Sequence, residues 1–388
     1  MAPVIYPARR AVEHAVALPG VRPVRLFPVL WPFWQVEITA NVYEEQAYEV
    51  IDRFLVRAVV EGGVDDRDEL IRFFGLEPPL VDRCLAFLSV IGHLTVERGR
   101  VRMTDLGLRS VRAGVRYEPK ESRQKLLIER FTGRPLPRGH YQTSPGVLPN
   151  PEVPDELLTD RTRFLSLFTP VAFQSQMIND LAARSDRTEY NLPGQLREIR
   201  GIAEQDVYMP VYLIETDNRS LLAYTAAVTG RDPFLEAVCR DVPAIHMKIE
   251  AERRENPRDL WTAWLASSRL GPGQPRQLPN GVWRVTLRPA AFGGPPKLPL
   301  SRLGSFQLRK HHFIQLWCED VELRSRATSE RALSMTRLRE VRTRADLAER
   351  IDGVAAQLEV TPPSFAQLRD YARRERLHDR LASLEALE

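Results

Sequence analysis

The side chains able to do acid–base, nucleophilic or metal chemistry are few and scattered. Seven histidines stand at positions 14, 93, 140, 246, 311, 312 and 378, and the three cysteines, Cys84, Cys239 and Cys318, lie far apart. Paired thiolates in a C-x-x-C clip and the H-E-x-x-H helix, the spacings that hold zinc, are both absent. His311-His312 is the one adjacent pair, and neighbours on a strand point to opposite faces, so the two cannot readily share a metal. The phosphate-cradling G-x-x-x-x-G-K-[ST] loop, a G-x-G-x-x-G turn and a G-x-S-x-G elbow are also missing. Carboxylate neighbours such as Glu319-Asp320 read as ordinary solvated charges.

His246-Met247-Lys248 begins like the H-x-K-x4-D signature and so resembles the phospholipase-D-type phosphodiesterases. The aspartate position is occupied by Arg253, and no second H-x-K follows, so the nucleophile and acid pair of that chemistry cannot be assembled. At most, His246 and Lys248 are a relic of such a fold. No catalytic residue, metal or cofactor is therefore expected, and the protein reads as a non-enzyme.

The elements that could position a binding surface are clearer. From about Glu44 to Glu61 an apolar stripe of Ala47, Val50, Ile51, Phe54, Leu55, Ala58 and Val59 predicts a helix ended by Gly62-Gly63. Asp65 or Asp66 can cap a short second helix closed by Gly75, and Pro78-Pro79 starts a third that stops at Gly92. Leu94/Val96 and Val101/Met103 alternate about Glu97-Arg98-Gly99-Arg100, a hairpin signature, and Thr104 can cap a fourth helix ended by Gly114. Over residues of about 44–114 this layout resembles the winged helix-turn-helix fold. The resemblance implies that the third helix enters the major groove while the hairpin, or wing, touches DNA backbone.

The charges divide that implication. The third helix would present Glu77, Asp82, Arg83, Ala86, Phe87, Ser89 and Val90 outward, with Arg83 the only base, so Phe87 and Val90 suit a protein contact. The hairpin carries Arg98, Arg100 and Arg102, followed by Arg109, Arg112 and Arg116, a set suited to phosphates. Only five of the 55 basic residues are lysines, and arginine's planar fork suits phosphate and carboxylate.

The remainder is less patterned. Residues 1–43 read as a lead with a β-prone aromatic segment, Leu26–Tyr43, and residues 44–131 as the winged helix with a trailing basic segment. A Pro/Gly linker is expected at 132–154, an α+β domain at 155–324 and a helical segment at 325–388. Helices are expected at 155–167 and 170–184, hairpin strands at 207–215 and 221–229, and further strands at 281–288 and 305–323. In the last helix Phe365, Leu368, Tyr371 or Ala372, Leu381 and Leu384 form a stripe that could dimerise.

The expectation is an α+β, multi-domain protein with no membrane span or secretory signal, placed in the bacterial cytoplasm by its composition. Its function is expected to be recognition: DNA binding led by the arginine-edged wing in a regulatory multi-protein system, or else an adaptor whose winged helix binds protein.

Overall fold

The computed structural model describes residues 5–142, 146–149, 153, 157, 163–194, 196–252, 255–293, 297–338 and 340–387, without the side chains of 197 and 200. The class is α+β, and the chain groups into two units that interleave along the sequence, where composition suggests consecutive segments. The first unit comprises residues 1–32, 139–170 and 207–388, and the second 33–138 and 171–206.

The N-terminal lead is not irregular. Ala8–Ala17 forms helix α1, whose Ala11, Val12 and Ala15 are buried on one face. Strand β1 then runs through Pro23–Gln46, three residues past the predicted end of the β segment. The first helix of the module accordingly starts later than its apolar stripe suggests, as α2 (Val50–Val60). It is followed by α3 (Arg67–Phe74), α4 (Pro78–Val90), the hairpin β2 (Leu94–Glu97) and β3 (Arg100–Met103), and α5 (Asp105–Ala113).

The basic segment after the module is a strand, β4 (Arg116–Glu129), paired antiparallel with β1 from Phe33↔Glu129 to Gln46↔Arg116. Its cations are cross-strand partners: Lys120 lies 3.0 Å from Glu44 and Lys125 3.7 Å from Glu37. Residues 47–115 are thus an elaborate loop closing a long two-stranded ribbon. At the far end the expected linker begins as a turn packed back on β4, with Glu129 accepting from the amides of Phe131 and Thr132 and Leu136 N donating to Leu127 O. Much of the expected 143–167 stretch lies outside the described residues; of the helix expected at 155–167, the described end at 163–167 is extended and includes a short strand at Leu165–Ser166.

In the second unit Trp34, Val36 and Ile38 of β1 and Leu126 and Ile128 of β4 are covered by Ile178 and Leu181 of α6 (Gln176–Ala183) and by Leu192. The first unit also holds short strands β5 (Leu148–Pro149) and β6 (Leu165–Ser166). Strand β7 (Leu196–Thr216) passes from the second unit into the first, where it pairs with β8 (Leu221–Tyr224). Helices α7 (Pro233–Asp241), α8 (Pro243–Glu250) and α9 (Pro257–Ser267) follow, the last capped by Asn256.

A second sheet is ordered β11-β12-β10-β9, from β9 (Pro275–Gln277), β10 (Trp283–Thr286), β11 (Phe306–Arg309) and β12 (His312–Trp317). The long strand expected over 305–323 is therefore a hairpin turning at Lys310-His311. Its tail already belongs to α10 (Val321–Met335), capped by the Asp320 carboxylate.

The C-terminal stripe does not project toward a partner. It folds as α11 (Arg344–Leu358), α12 (Phe365–Arg374) and α13 (His378–Glu385), and Leu368, Tyr371, Ala372 and Leu384 bury against Ala332, Leu333, Leu347 and Ile351. The apolar groups of this stripe are already covered within the chain, so they are not free to form a dimer interface. No helix among the described residues is long and apolar enough to cross a membrane.

The arginine excess also has a structural use. Arg284 and Arg324 lie 3.9 and 4.8 Å from the Trp317 ring centroid, and Arg130 lies 5.2 Å from that of Trp34. A planar guanidinium stacks on a ring and still donates in its own plane, which an ammonium cannot do. Arg324 donates to the Leu358 and Glu359 carbonyls, and Arg331 to Ser301 O and Leu303 O. Many arginines therefore serve the protein's own carbonyls and rings rather than an external phosphate.

Candidate interaction surface on the helix and hairpin module

Local chemistry explains why residues 47–115 fold as they do. Asp66 caps α3 by accepting from the Asp68 and Glu69 amides, and Gly75, at φ 60°, ends it. Three residues later Pro78 opens α4, its fixed φ suiting a first helical turn. Leu55, Val56, Leu70, Val81, Leu85, Leu88, Leu94 and Val101 close one core. The hairpin turns through Arg98 at φ 50° and Gly99 at φ 84°. Beside it the chain entering α3 is bridged to the hairpin at Asp66↔Arg100: Arg67 N donates to Gly99 O and Val101 N to Asp65 O, at 2.9 and 2.8 Å.

His93 fastens the module to its ribbon. The ring is fully buried, with Nε2 2.8 Å from Tyr117 O and Nδ1 3.3 Å from the Tyr48 hydroxyl. The carbonyl bond fixes the proton on Nε2, leaving Nδ1 to accept from Tyr48. Burial pulls this imidazole below its ordinary range, as it does those of His14, His311 and His312 in the first unit.

Unfolded histidine titrates near about 6.5, so between that value and the lower folded values the unfolded chain binds more protons. Stability from these four groups is complete above about pH 6.5 and is lost as the pH falls through that window. Melting temperature is expected to be flat from pH 7.5 to 6.5 and to decline toward pH 5; a rise on acidification would contradict this assignment.

The structure separates the seven arginines picked out by sequence. Arg83, Arg98, Arg102 and Arg112 are exposed, and no ion pair is formed by them among the described residues. Arg100 is exposed but held 2.6 Å from Asp65. Arg109 is not available to a ligand. Its guanidinium lies 4.9 Å from the ring centroids of both Tyr43 and Tyr117, and its Nε and Nη2 are buried. Arg116 is likewise inside, 2.6 Å from Glu118 and 3.9 Å from Asp52. Ten arginines and eleven carboxylates make residues 47–115 close to neutral, so the module presents no broad basic field.

Of the two apolar residues assigned to a partner, Phe87 is 36% exposed, with the Arg116 guanidinium 4.9 Å from its ring centroid. Val90 is 83% exposed. On α4, Pro79, Arg83, Ala86 and Val90 recur at i, i+4, i+7 and i+11 and are all exposed, giving one apolar stripe with a single base. The acidic end of the helix is quieter than its sequence suggests, because Asp82 binds Arg67 through both carboxylate oxygens, at 2.5 and 2.7 Å.

Sequence reasoning placed Val50 and Phe54 in the core, yet they are 70% and 51% exposed. Helix α2 is apolar nearly all round, and only the face bearing Asp52, Leu55, Val56 and Ala58 can pack. Of the thirteen large hydrophobic side chains exposed among the described residues, seven belong to this module: Val50, Phe54, Val60, Phe73, Phe87, Val90 and Val96.

The other motifs gain no chemistry. His246 and Lys248 lie on α8, and Arg253 lies outside the described residues. His311 sits in the β11–β12 turn, its Nδ1 3.1 Å from Leu26 O. The buried His140–Asp232 contact, 2.9 Å, belongs to a cap: Asp232 also accepts from Thr225 and from the first amides of α7. Among the described residues no group of three His, Cys, Asp or Glu side chains gathers as a metal site. Comparison of the chain with protein-family models, curated proteins and solved structures finds no match.

Proposed function

We propose that residues 47–115 are a winged-helix-like module and that the protein is a non-enzymatic recognition component, docking a partner protein through the outer face of α4. Support for the fold comes from the order of three helices and a hairpin, the short turn at Gly75, and the backbone bridge of Asp65–Arg67 to the hairpin. The observation that carries the function is the exposed Pro79–Arg83–Ala86–Val90 stripe. A groove-reading helix needs hydrogen-bonding side chains at these positions, whereas this one offers apolar surface with one cation. A partner of matching chemistry presents an apolar face with a carboxylate opposite Arg83.

The test uses Ala86→Glu/Val90→Lys, which removes the apolar face and keeps an exposed helix. Partner affinity is expected to fall at least about tenfold, as for loss of a central apolar anchor, while stability stays within about 0.5 kcal/mol of wild type. Unchanged co-purification of the partner, measured by quantitative mass spectrometry, would overturn the assignment.

A second reading, nucleic-acid binding by the hairpin, is favoured by the exposure of Arg98, Arg102 and Arg112. In that case duplex affinity, followed by fluorescence anisotropy, falls steeply with salt and is lost in Arg98→Ala/Arg102→Ala. A flat salt response excludes it.

A further inference from the structure

The first unit holds a cavity of about 590 Å3 whose walls differ in chemistry. That volume lies within the range of small-molecule sites, roughly 300–1,000 Å3. Leu26 and Pro28 of β1, Leu165 of β6 and Leu308 of β11 give it an apolar lining. The polar part comes from the β11–β12 turn, from residues after α8 and from Arg163.

The polar groups are not equally free. Lys310 is paired with Glu255, and His311 lies 3.7 Å from Glu252 as well as bonding Leu26 O. His311 and His312 are held below the ordinary imidazole range, chiefly by burial, so both are neutral at pH 7. Arg163 and Arg309 remain: both line the cavity, both are exposed, and neither has an ion-pair partner among the described residues.

A second observation concerns a residue buried beside this wall. Arg25 is 4% exposed; its Nε donates to Glu215 at 2.6 Å, while Nη1 and Nη2 have no hydrogen-bond partner. Its charge is felt at both cavity histidines, which it pulls downward. An apolar lining with two available guanidinium groups and a third buried cation nearby suits an anion attached to an apolar body.

We propose that this cavity binds a small amphipathic molecule carrying one carboxylate or phosphate head, with Arg163 and Arg309 holding the head and the Leu26, Pro28, Leu165 and Leu308 surface holding the body. Such a site would give a recognition protein a small-molecule input, and it stands independently of the docking surface on α4.

The test is isothermal titration calorimetry of the full chain with decanoate and with decyl phosphate, alongside decanol and inorganic phosphate. At least one of the two amphiphiles is expected to bind saturably at one per chain, and the stronger of them identifies the head group. Decanol and inorganic phosphate are each expected to bind at least about tenfold more weakly, since each lacks half of the recognition. Arg163→Ala and Arg309→Ala, both at exposed positions, are each expected to weaken the amphiphile about tenfold with melting temperature unchanged. Absence of saturable binding by both amphiphiles, or wild-type affinity in both arginine variants, overturns the proposal.

Discussion

Replacing Glu215 by alanine is expected to cost about 3–5 kcal/mol, because it leaves a buried arginine without its counter-charge. Arg25 and Glu215 have side chains only 5% and 10% exposed and meet at 2.6 Å within the first unit. The Arg25 guanidinium also lies 4.7 Å from the Phe27 ring centroid, and its two Nη atoms find no acceptor. One carboxylate therefore offsets most of the cost of desolvating this cation. Removing both charges is a different experiment: Arg25→Met/Glu215→Leu is expected to unfold near wild type, since apolar groups of similar volume often replace a buried pair without loss. Urea denaturation reads both variants. A loss below about 1 kcal/mol in Glu215→Ala, the scale of an exposed pair, would show that the pair is solvated.

The second large effect is Gly107→Ala. Gly107 lies in the first turn of α5, where its amide donates to the capping Thr104 hydroxyl. A Cβ built there would stand 2.1 Å from the His93 carbonyl oxygen and 2.6 Å from Met103 Cε. The same carbonyl already accepts from Thr104 N and the Thr104 hydroxyl, so it cannot retreat without loosening the cap. Overpacking by a methyl usually costs about 1–3 kcal/mol, and a clash with backbone should reach or exceed the upper end.

Gly353 in α11 is the internal control, because no atom lies within 4 Å of its Cβ position. Gly353→Ala is expected to stabilise by about 0.5–1 kcal/mol through helix propensity alone. Circular-dichroism melts of the two variants should therefore move in opposite directions. Equal shifts would mean that the close approach of α5 to His93 is absent.

The local features of the fold were legible because their causes are local. Asp66 and Thr104 cap the helices their positions suggest, and Gly75 and Gly114 adopt the left-handed conformation that ends α3 and α5. The ribbon was not legible. Lys120 and Lys125 look like a basic tail until β1 places Glu44 and Glu37 opposite them, residues 76 and 88 positions away. The extension of β1 to Gln46 depends on the same distant pairing, so the apolar spacing of α2 alone set that helix's start too early.

The candidate surface was legible in part for a related reason. Val90 and Ala86 face outward as the α4 periodicity requires. Arg109 reads as one more base beside the wing, and only the arrival of Tyr43 and Tyr117 from the two ribbon strands shows it to be packed between rings. Phe54 fits an apolar stripe in sequence, yet a helix with apolar residues nearly all round must leave some of them uncovered. Composition suggested an arginine-rich phosphate binder, and the structure returns many of those arginines to the core as ring and carbonyl partners.

The most direct measurement places a photo-crosslinking amino acid at position 90 on α4 and, in a second variant, at position 102 on β3, with irradiation in native-host cells. Docking through α4 gives a protein adduct of discrete mass from position 90, lost when Ala86→Glu is added, and little nucleic acid from position 102. Nucleic acid recovered from position 102 together with no protein adduct at position 90 would contradict that assignment and leave the hairpin as the binding element.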